Sequence, residues 1–400
     1  MNAHVLFIGG EDHFLRIPFF KTIERLGFRV TAAASGDPRP FDDANIAYRR
    51  FAFSRFVDPV ADIRAITTLS RLIHDVDADI AHSFDTKTSL LVPYAARSGQ
   101  RTAIIRTING RGWTFSSRSA GALAIRTIYR PLQRFAATST AATVFEHHGD
   151  MNFFTRNGLL GSGRSVVIPG AGIDIEGFER ARAMGSAPDD LRRELGLIGR
   201  DVLVTTTRIT REKGIHTLLK AAALVFRKHA NARFLVVGPR AGEGSDITDE
   251  DFARHAGYVL PTGARHDVPS LLNMADVFVF PSEYAEGIPR SLMEAALAGL
   301  PIVTTDLPGC QEVIRDGWNG LLAPQRNPEE LAAKILTMLA DREAARRMGA
   351  RGPAKIRQGF GLPDIAAQHA ALYERVLARG PRRHSPYIDE VGEAIECRRG

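Results

Sequence analysis

Cysteine is nearly absent from this 400-residue chain: Cys310 and Cys397 are the only two. Two isolated thiols form neither a disulfide framework nor a metal-binding cluster, and they are compatible with a reducing cytoplasm. Long apolar runs are missing too. No uncharged stretch approaches the ~18 residues that a membrane-spanning helix needs. No basic-then-apolar leader stands before Val5-Leu6-Phe7-Ile8, so export by a signal peptide is not expected. No internal repeat stands out. Between Arg101 and Phe135 acidic residues and lysine are absent altogether, while seven arginines are present.

What remains is ordinary globular composition, 44% hydrophobic and 24% charged. The length exceeds what one core usually supports, so two domains are expected. The net charge of +7, from 52 basic against 45 acidic side chains, is carried mostly by arginine and fits anionic partners. Short apolar runs alternate with helical periodicity in both halves: His4–Ile8, Phe28–Ala33, Ile80–His82 and Thr102–Thr107, with Arg134–Thr138 and Ser165–Ile168 closing the first sheet. Val202–Thr205 opens a second series, which continues through Arg233–Val237, Gly257–Leu260 and Val277–Phe280. Such alternation predicts α/β domains with mostly parallel sheets. The expected divisions are 1–172, a polar junction over 173–198, a second domain over 199–360, a helix over 361–378 and a polar tail over 379–400.

The chemistry concentrates in the second half. After Val277–Phe280 comes Glu286-Gly287-Ile288-Pro289, then Ser291-Leu292-Met293-Glu294-Ala295-Ala296 and the apolar Pro301-Ile302-Val303. Strand, loop, helix, strand is the geometry that holds a ligand at the carboxyl end of a parallel sheet. Two carboxylates there can accept the paired hydroxyl hydrogens of ribose or hexose. Gly287 lets backbone amides approach a diphosphate, and Pro289 suits the first helical turn. Arg208 and Lys213, in the loop after Val202–Thr205, can set two cations over phosphates beside a helix N-terminus. In the first half, Gly9 and Gly10 follow the first strand, a weak phosphate signal. His13, Arg16, His82 and Asp85 are candidates for acceptor contact.

Residues 286–303, with 205–216, 169–174 and Leu307-Pro308-Gly309-Cys310-Gln311-Glu312, resemble the retaining nucleotide-sugar glycosyltransferases of family 4. The likeness runs from residue 1 to about 378. It implies the GT-B architecture, two Rossmann-like domains facing across a cleft. By that resemblance Glu286 contacts the donor sugar, Glu294 holds the nucleotide ribose, Arg208 and Lys213 bind the diphosphate, and the Gly287–Ile288 backbone touches phosphate and sugar. The first-domain loop of Gly9 and Gly10 would border the acceptor and the donor phosphates, and the 361–378 helix would cross back to the first domain. One departure is evident. Many relatives have a threonine-x-histidine-glycine sequence where this chain has Thr107-Ile108-Asn109-Gly110. Asn109 can hydrogen-bond a sugar hydroxyl but cannot carry a proton.

The expected activity is therefore transfer of a sugar, retaining its anomeric configuration, from a UDP-linked donor to a lipid-linked oligosaccharide or polysaccharide precursor. No permanently bound cofactor and no metal are expected, because the basic pair can neutralise the diphosphate. Arg118, Arg126, Arg130 and Arg134 recur at multiples of four, and Leu123, Ile128 and Leu132 are interspersed. Such a face can lie on an anionic membrane, which places the protein peripherally on the inner face of the cell membrane. A nucleic-acid partner is not expected, since no binding module accompanies the charge. Two alternatives stay open: a sugar-nucleotide epimerase or phosphorylase on the same fold, and a non-catalytic nucleotide-sugar-binding regulator.

Overall fold

The computed structural model describes residues 3–53, 58–96, 101–116, 120–161, 163–240 and 247–379. The chain divides into two units, Met1–Gly172 with Leu362–Gly400, and Ile173–Gly361.

Unit 1 is built on a seven-stranded parallel sheet. Its strands are β1 (His4–Ile8), β2 (Arg29–Ala34), β3 (Ala47–Arg50), β4 (Ile80–Ser83), β5 (Ala103–Ile108), β6 (Ala142–Phe145) and β7 (Ser165–Val167). They lie in the order β3-β2-β1-β4-β5-β6-β7. The central strands are buried on both faces, as a parallel sheet covered by helices requires. The helix Pro59–Val76 shows why elements start and stop where they do. Asp58 accepts the amides of Val60 and Ala61, Pro59 fills the first turn, and Asp77 ends it in the left-handed region at φ 44°. The helix Leu362–Ala378 returns to this unit. Its Ile365, Ala366 and Tyr373 enter the core around Phe7 and Phe20.

Three expectations shift in this unit. Arg134–Thr138 is not a strand but the last turn of the helix Ala120–Thr138, and the strand begins at Ala142. Edge strand β3 is additional: its Ala47-Tyr48-Arg49-Arg50 lacks any apolar run. His13 and His82 are buried in the core.

Unit 2 holds a six-stranded parallel sheet: β8 (Asp201–Thr206), β9 (Ala232–Val237), β10 (Val259–Gly263), β11 (Val277–Phe280), β12 (Ile302–Thr305) and β13 (Leu321–Ala323). The order is β10-β9-β8-β11-β12-β13. Residues 173–198, expected as a polar junction, carry the helices Ile175–Met184 and Pro188–Glu194. They bury Phe178 and Leu191 against this unit's core. The two sheets share one logic. Strand order reverses beside β1 and β4 in unit 1, and beside β8 and β11 in unit 2. Loops leaving a parallel sheet at such a switch point diverge to opposite faces and open a crevice. Residues 380–400 of the expected tail, and Arg118 of the arginine face, lie outside the described residues.

Candidate functional site

In unit 2 the two loops at the switch point carry Arg208, Lys213 and Glu286. The loop after β8 ends at Gly214, which has φ +72° and opens the helix Ile215–Lys228. A Cβ at Gly214 would lie 1.9 Å from the Pro281 carbonyl oxygen, so the two loops touch backbone to backbone there. This contact brings the side chains together. Lys213 Nζ lies 2.5 Å from Glu286 Oε2, and Ser282 Oγ donates to Glu286 Oε1 at 2.7 Å. The Phe280 ring sits under the ammonium, 5.6 Å away. Both charges remain partly open to solvent, at 14% and 17% exposure. Arg208 is half-buried, and among the described residues its guanidinium has no ion pair. Arg208, Lys213 and Glu286 are therefore all carried on loops at the carboxyl end of the two central strands, β8 and β11.

The rest of the motif is held behind them. Gly309, in the helix Pro308–Val313, faces the Gly287 carbonyl oxygen so closely that a Cβ would lie 2.0 Å from it. This helix, which follows β12, thus braces the Glu286-Gly287 backbone. The Ile288 side chain is buried in the core, so it offers no side-chain contact to a ligand. The helix Arg290–Leu297 starts after Pro289, putting Glu294 just over one turn in. Burial pushes the Glu294 carboxyl up from its ordinary value, and the Arg290 guanidinium, donating at 2.9 Å, opposes the shift. Cys310 is buried, its thiol pushed up to about 12, so it offers no reactive sulfur.

Sequence reasoning missed Ser282, Phe280, Glu283, Thr217 and Arg326. Glu283 accepts from Thr217 Oγ1 at 2.5 Å and from Arg326 Nε at 3.0 Å. Only the Pro281-Ser282 step directly after β11 was a local signal, since the other links join residues 43 and 66 positions apart.

Unit 1 places its candidates differently. The Gly9 amide donates to Ala33 O at 3.0 Å and the Gly10 amide to Asp85 Oδ2 at 2.8 Å, so both donors are already used within the chain. Gly9 is small because the His13 ring fills its Cβ position. His13 is buried beside Phe20 and its pKa falls to about 3 through desolvation, so it is a core imidazole rather than an acceptor contact. His82 is the same: its ring nitrogens meet Tyr373 Oη and Thr107 Oγ1, each at 2.7 Å. Arg16 lies over the Phe84 ring at 4.2 Å. Asn109 bridges two loops. Its Oδ1 accepts the Asp85 amide at 3.2 Å, and its Nδ2 donates to Glu146 Oε1 at 2.7 Å.

The arginine run divides by role. Arg106 is fully buried, bonded to Thr143 Oγ1 and Gln133 Oε1, and desolvation lowers it to about 10. Arg111 pairs with buried Asp150 at 2.8 Å. Arg126 turns back to the Thr114 and Phe115 carbonyls, leaving the expected outward face. Arg130 and Arg134 are exposed, with Leu123, Ile128 and Phe135 on the same helix. Among the described residues no helix is long and apolar enough to cross a membrane.

Two parallel doubly wound sheets, with basic and acidic side chains meeting at a switch point, define a GT-B-type α/β protein. Residues 189–355 match the family model described as glycosyl transferases group 1, and residues 20–171 match that of the glycosyl transferase 4-like domain. The chain belongs to this glycosyltransferase family, and it is a glycosyltransferase. It is 25% identical over 372 residues to the Campylobacter jejuni N,N'-diacetylbacillosaminyl-diphospho-undecaprenol alpha-1,3-N-acetylgalactosaminyltransferase, covering 92% of this chain and 97% of that one. It is also 25% identical over 341 residues to the Escherichia coli UDP-Gal:alpha-D-GlcNAc-diphosphoundecaprenol alpha-1,3-galactosyltransferase, covering 83% and 84%. In fold it is similar to Anabaena HepE in complex with UDP and glucose, with a TM-score of 0.73 at 19% identity over 92% of this chain and 99% of that one.

Proposed function

We propose that this glycosyltransferase moves a hexosyl or N-acetylhexosaminyl group from a UDP-sugar to a lipid-linked oligosaccharide or polysaccharide precursor, with retention at the anomeric carbon. Unit 2 is the donor side and unit 1 the acceptor side. The single observation that carries the donor reading is the Lys213–Glu286 pair at 2.5 Å on the two loops of the unit 2 switch point. Breaking the glycosidic C–O bond leaves a nucleoside diphosphate, and negative charge builds on its terminal phosphate as the bond opens. Lys213 and Arg208 are the cations suited to receive it, with the Gly287–Ile288 main chain beside them. Glu286, held by Lys213 and Ser282, orients the donor sugar, and Glu294 accepts the ribose hydroxyls. Relatives named for undecaprenyl-diphosphate-linked substrates support the acceptor class.

The second element of the proposal is an anionic membrane surface as partner. Arg130, Arg134 and the exposed Leu123, Ile128 and Phe135 would face it, with the chain on the inner leaflet. Incubation with a panel of UDP-sugars and membrane extract tests the activity. Sugar transfer into the lipid fraction with release of UDP is expected. UDP binding with neither transfer nor hydrolysis would instead identify a regulator.

A further inference from the structure

Two adjacent residues, Ser282 and Glu283, divide the work of holding the Lys213–Glu286 pair. Ser282 Oγ donates to Glu286. Glu283 grips the chain on both sides of Lys213. Its amide donates to the Glu212 carbonyl oxygen at 2.9 Å, and its carboxylate accepts from Thr217 Oγ1 at 2.5 Å. Thr217 is buried in the first turn of the helix Ile215–Lys228, so the second grip lies one helical turn beyond Lys213. The other carboxylate oxygen accepts from Arg326 Nε at 3.0 Å, on the loop after β13. Arg326 holds a left-handed backbone at φ +56°, uncommon for arginine, and points its guanidinium to Glu283 from there. The Glu283 side chain is 12% exposed, so its charge is little screened.

We infer that Glu283 is a positioning residue: anchored by Arg326 and Thr217, it fixes where Lys213 stands and thereby sets its reach to the donor's terminal phosphate. This rests on the donor-site proposal above. A flexible lysine loses rotamer freedom on meeting a phosphate. A loop clamped on either side of it spares the backbone part of that loss and keeps the ammonium within hydrogen-bonding distance of Glu286. Arg326 acts by holding the Glu283 carboxylate aimed at Thr217.

A role in positioning Lys213 makes a specific demand on ligand discrimination. Lys213 distinguishes a diphosphate from a monophosphate, so a displaced Lys213 weakens UDP but not UMP. Calorimetric titration of the full chain with UDP and with UMP reads this ratio directly. Glu283→Ala is expected to weaken UDP about tenfold, the scale of one charge-assisted hydrogen bond, and to leave UMP unchanged. Glu283→Gln keeps an acceptor for Thr217 and should restore most of the ratio, and Arg326→Ala should fall between the two. A wild-type UDP-to-UMP ratio in Glu283→Ala overturns the inference, as does an equal loss of both ligands. Should Glu283→Ala fail to fold, Thr217→Val removes a single hydroxyl and must shrink the same ratio; an unchanged ratio overturns the inference there too. Lys213→Ala separates the two proposals. An unchanged ratio in that variant sinks the diphosphate assignment itself, whereas a collapsed ratio beside an unaffected Glu283→Ala sinks only the positioning role.

Discussion

Lys213 Nζ stands 2.5 Å from Glu286 Oε2, joining the loop that leaves β8 to the loop that leaves β11. On the proposed donor reading, removal of the ammonium takes away a fixed cation where leaving-group charge would develop. Lys213→Ala is expected to lower kcat by about 10²–10³-fold, the usual effect of deleting one preorganised charge-stabilising group. Folding should change little, because Glu286 keeps its Ser282 bond and both side chains meet solvent. Steady-state kinetics with a UDP-sugar, alongside a thermal melt, check this. Unaltered kcat in a folded variant would remove Lys213 from the mechanism.

Gly214 makes the same joint from the backbone side. Alanine there meets two obstacles, a φ of +72° and the Pro281 carbonyl oxygen at 1.9 Å from the new Cβ. Backbone oxygen cannot rotate away as a side chain would. The loops must separate, at a cost of about 1–3 kcal/mol for the overpacking. Gly214→Ala should therefore lower the melting temperature and the activity together. Wild-type values for both would show that the loops are not in contact in solution.

These two loops were legible because their signals are local. Val277-Phe278-Val279-Phe280 ends abruptly at Pro281, and Val202–Thr205 is followed by a basic loop and a periodic apolar helix. Edge strands such as Leu321–Ala323 were not, since three residues carry no period. Arg134–Thr138 misled for a related reason: the short run to Thr138 continues a helix that contains Pro131, a residue that normally interrupts one. Histidines beside glycine posed a different difficulty. His13 and a ligand histidine look alike in sequence, and only packing shows that the ring occupies the space of the missing Gly9 Cβ. Spacing likewise placed Arg126 on a face with Arg130 and Arg134, but it could not show that Arg126 turns to backbone carbonyls.

Arg106 illustrates how a buried charge without a carboxylate behaves. Among the described residues it donates only to neutral oxygens, those of Thr143 and Gln133. Replacing the whole side chain by methionine removes the desolvation cost along with the bonds, so Arg106→Met should be near neutral or stabilising. Thr143→Val instead leaves the guanidinium short of an acceptor and should destabilise by about 1–3 kcal/mol. Denaturant unfolding of the two variants checks the ordering. The reverse order would mean that the guanidinium has an anionic partner in solution.

Three imidazoles make unit 1 sensitive to acid. His13, His82 and His369 are buried, and desolvation holds each below its ordinary value, His13 and His369 at about 3. A histidine whose folded pKa lies below its unfolded value takes up a proton on unfolding. The stability it supports is complete above about 6.5 and drains away as pH falls toward 3. Each such group adds about 1.4 kcal/mol per pH unit to the slope in that window. His369→Phe, in contact with Phe19, should remove one proton's share of the slope between pH 6 and 4. Chemical denaturation at several pH values measures it. An unchanged slope would mean that His369 is already protonated in the folded chain.

Exposed apolar and basic side chains share the helix Ala120–Thr138: Ile128 is 66% exposed, Leu123 51% and Phe135 50%, with Arg130 and Arg134 among them. Scattered apolar residues on a soluble surface need no explanation. Three on one helix whose charges are all positive are a different matter, because an anionic bilayer satisfies both kinds at once. Each arginine near such a surface contributes about 1 kcal/mol, so replacing Arg130 and Arg134 by glutamine should weaken binding to anionic vesicles about thirtyfold. Ile128→Ser should weaken it further without changing the salt dependence, which belongs to the arginines. Sedimentation with phosphatidylserine-containing vesicles, with purely zwitterionic vesicles as control, separates the contributions. Equal binding of wild type to both vesicle types would sink the electrostatic half of the argument, and an unaffected Ile128→Ser the apolar half.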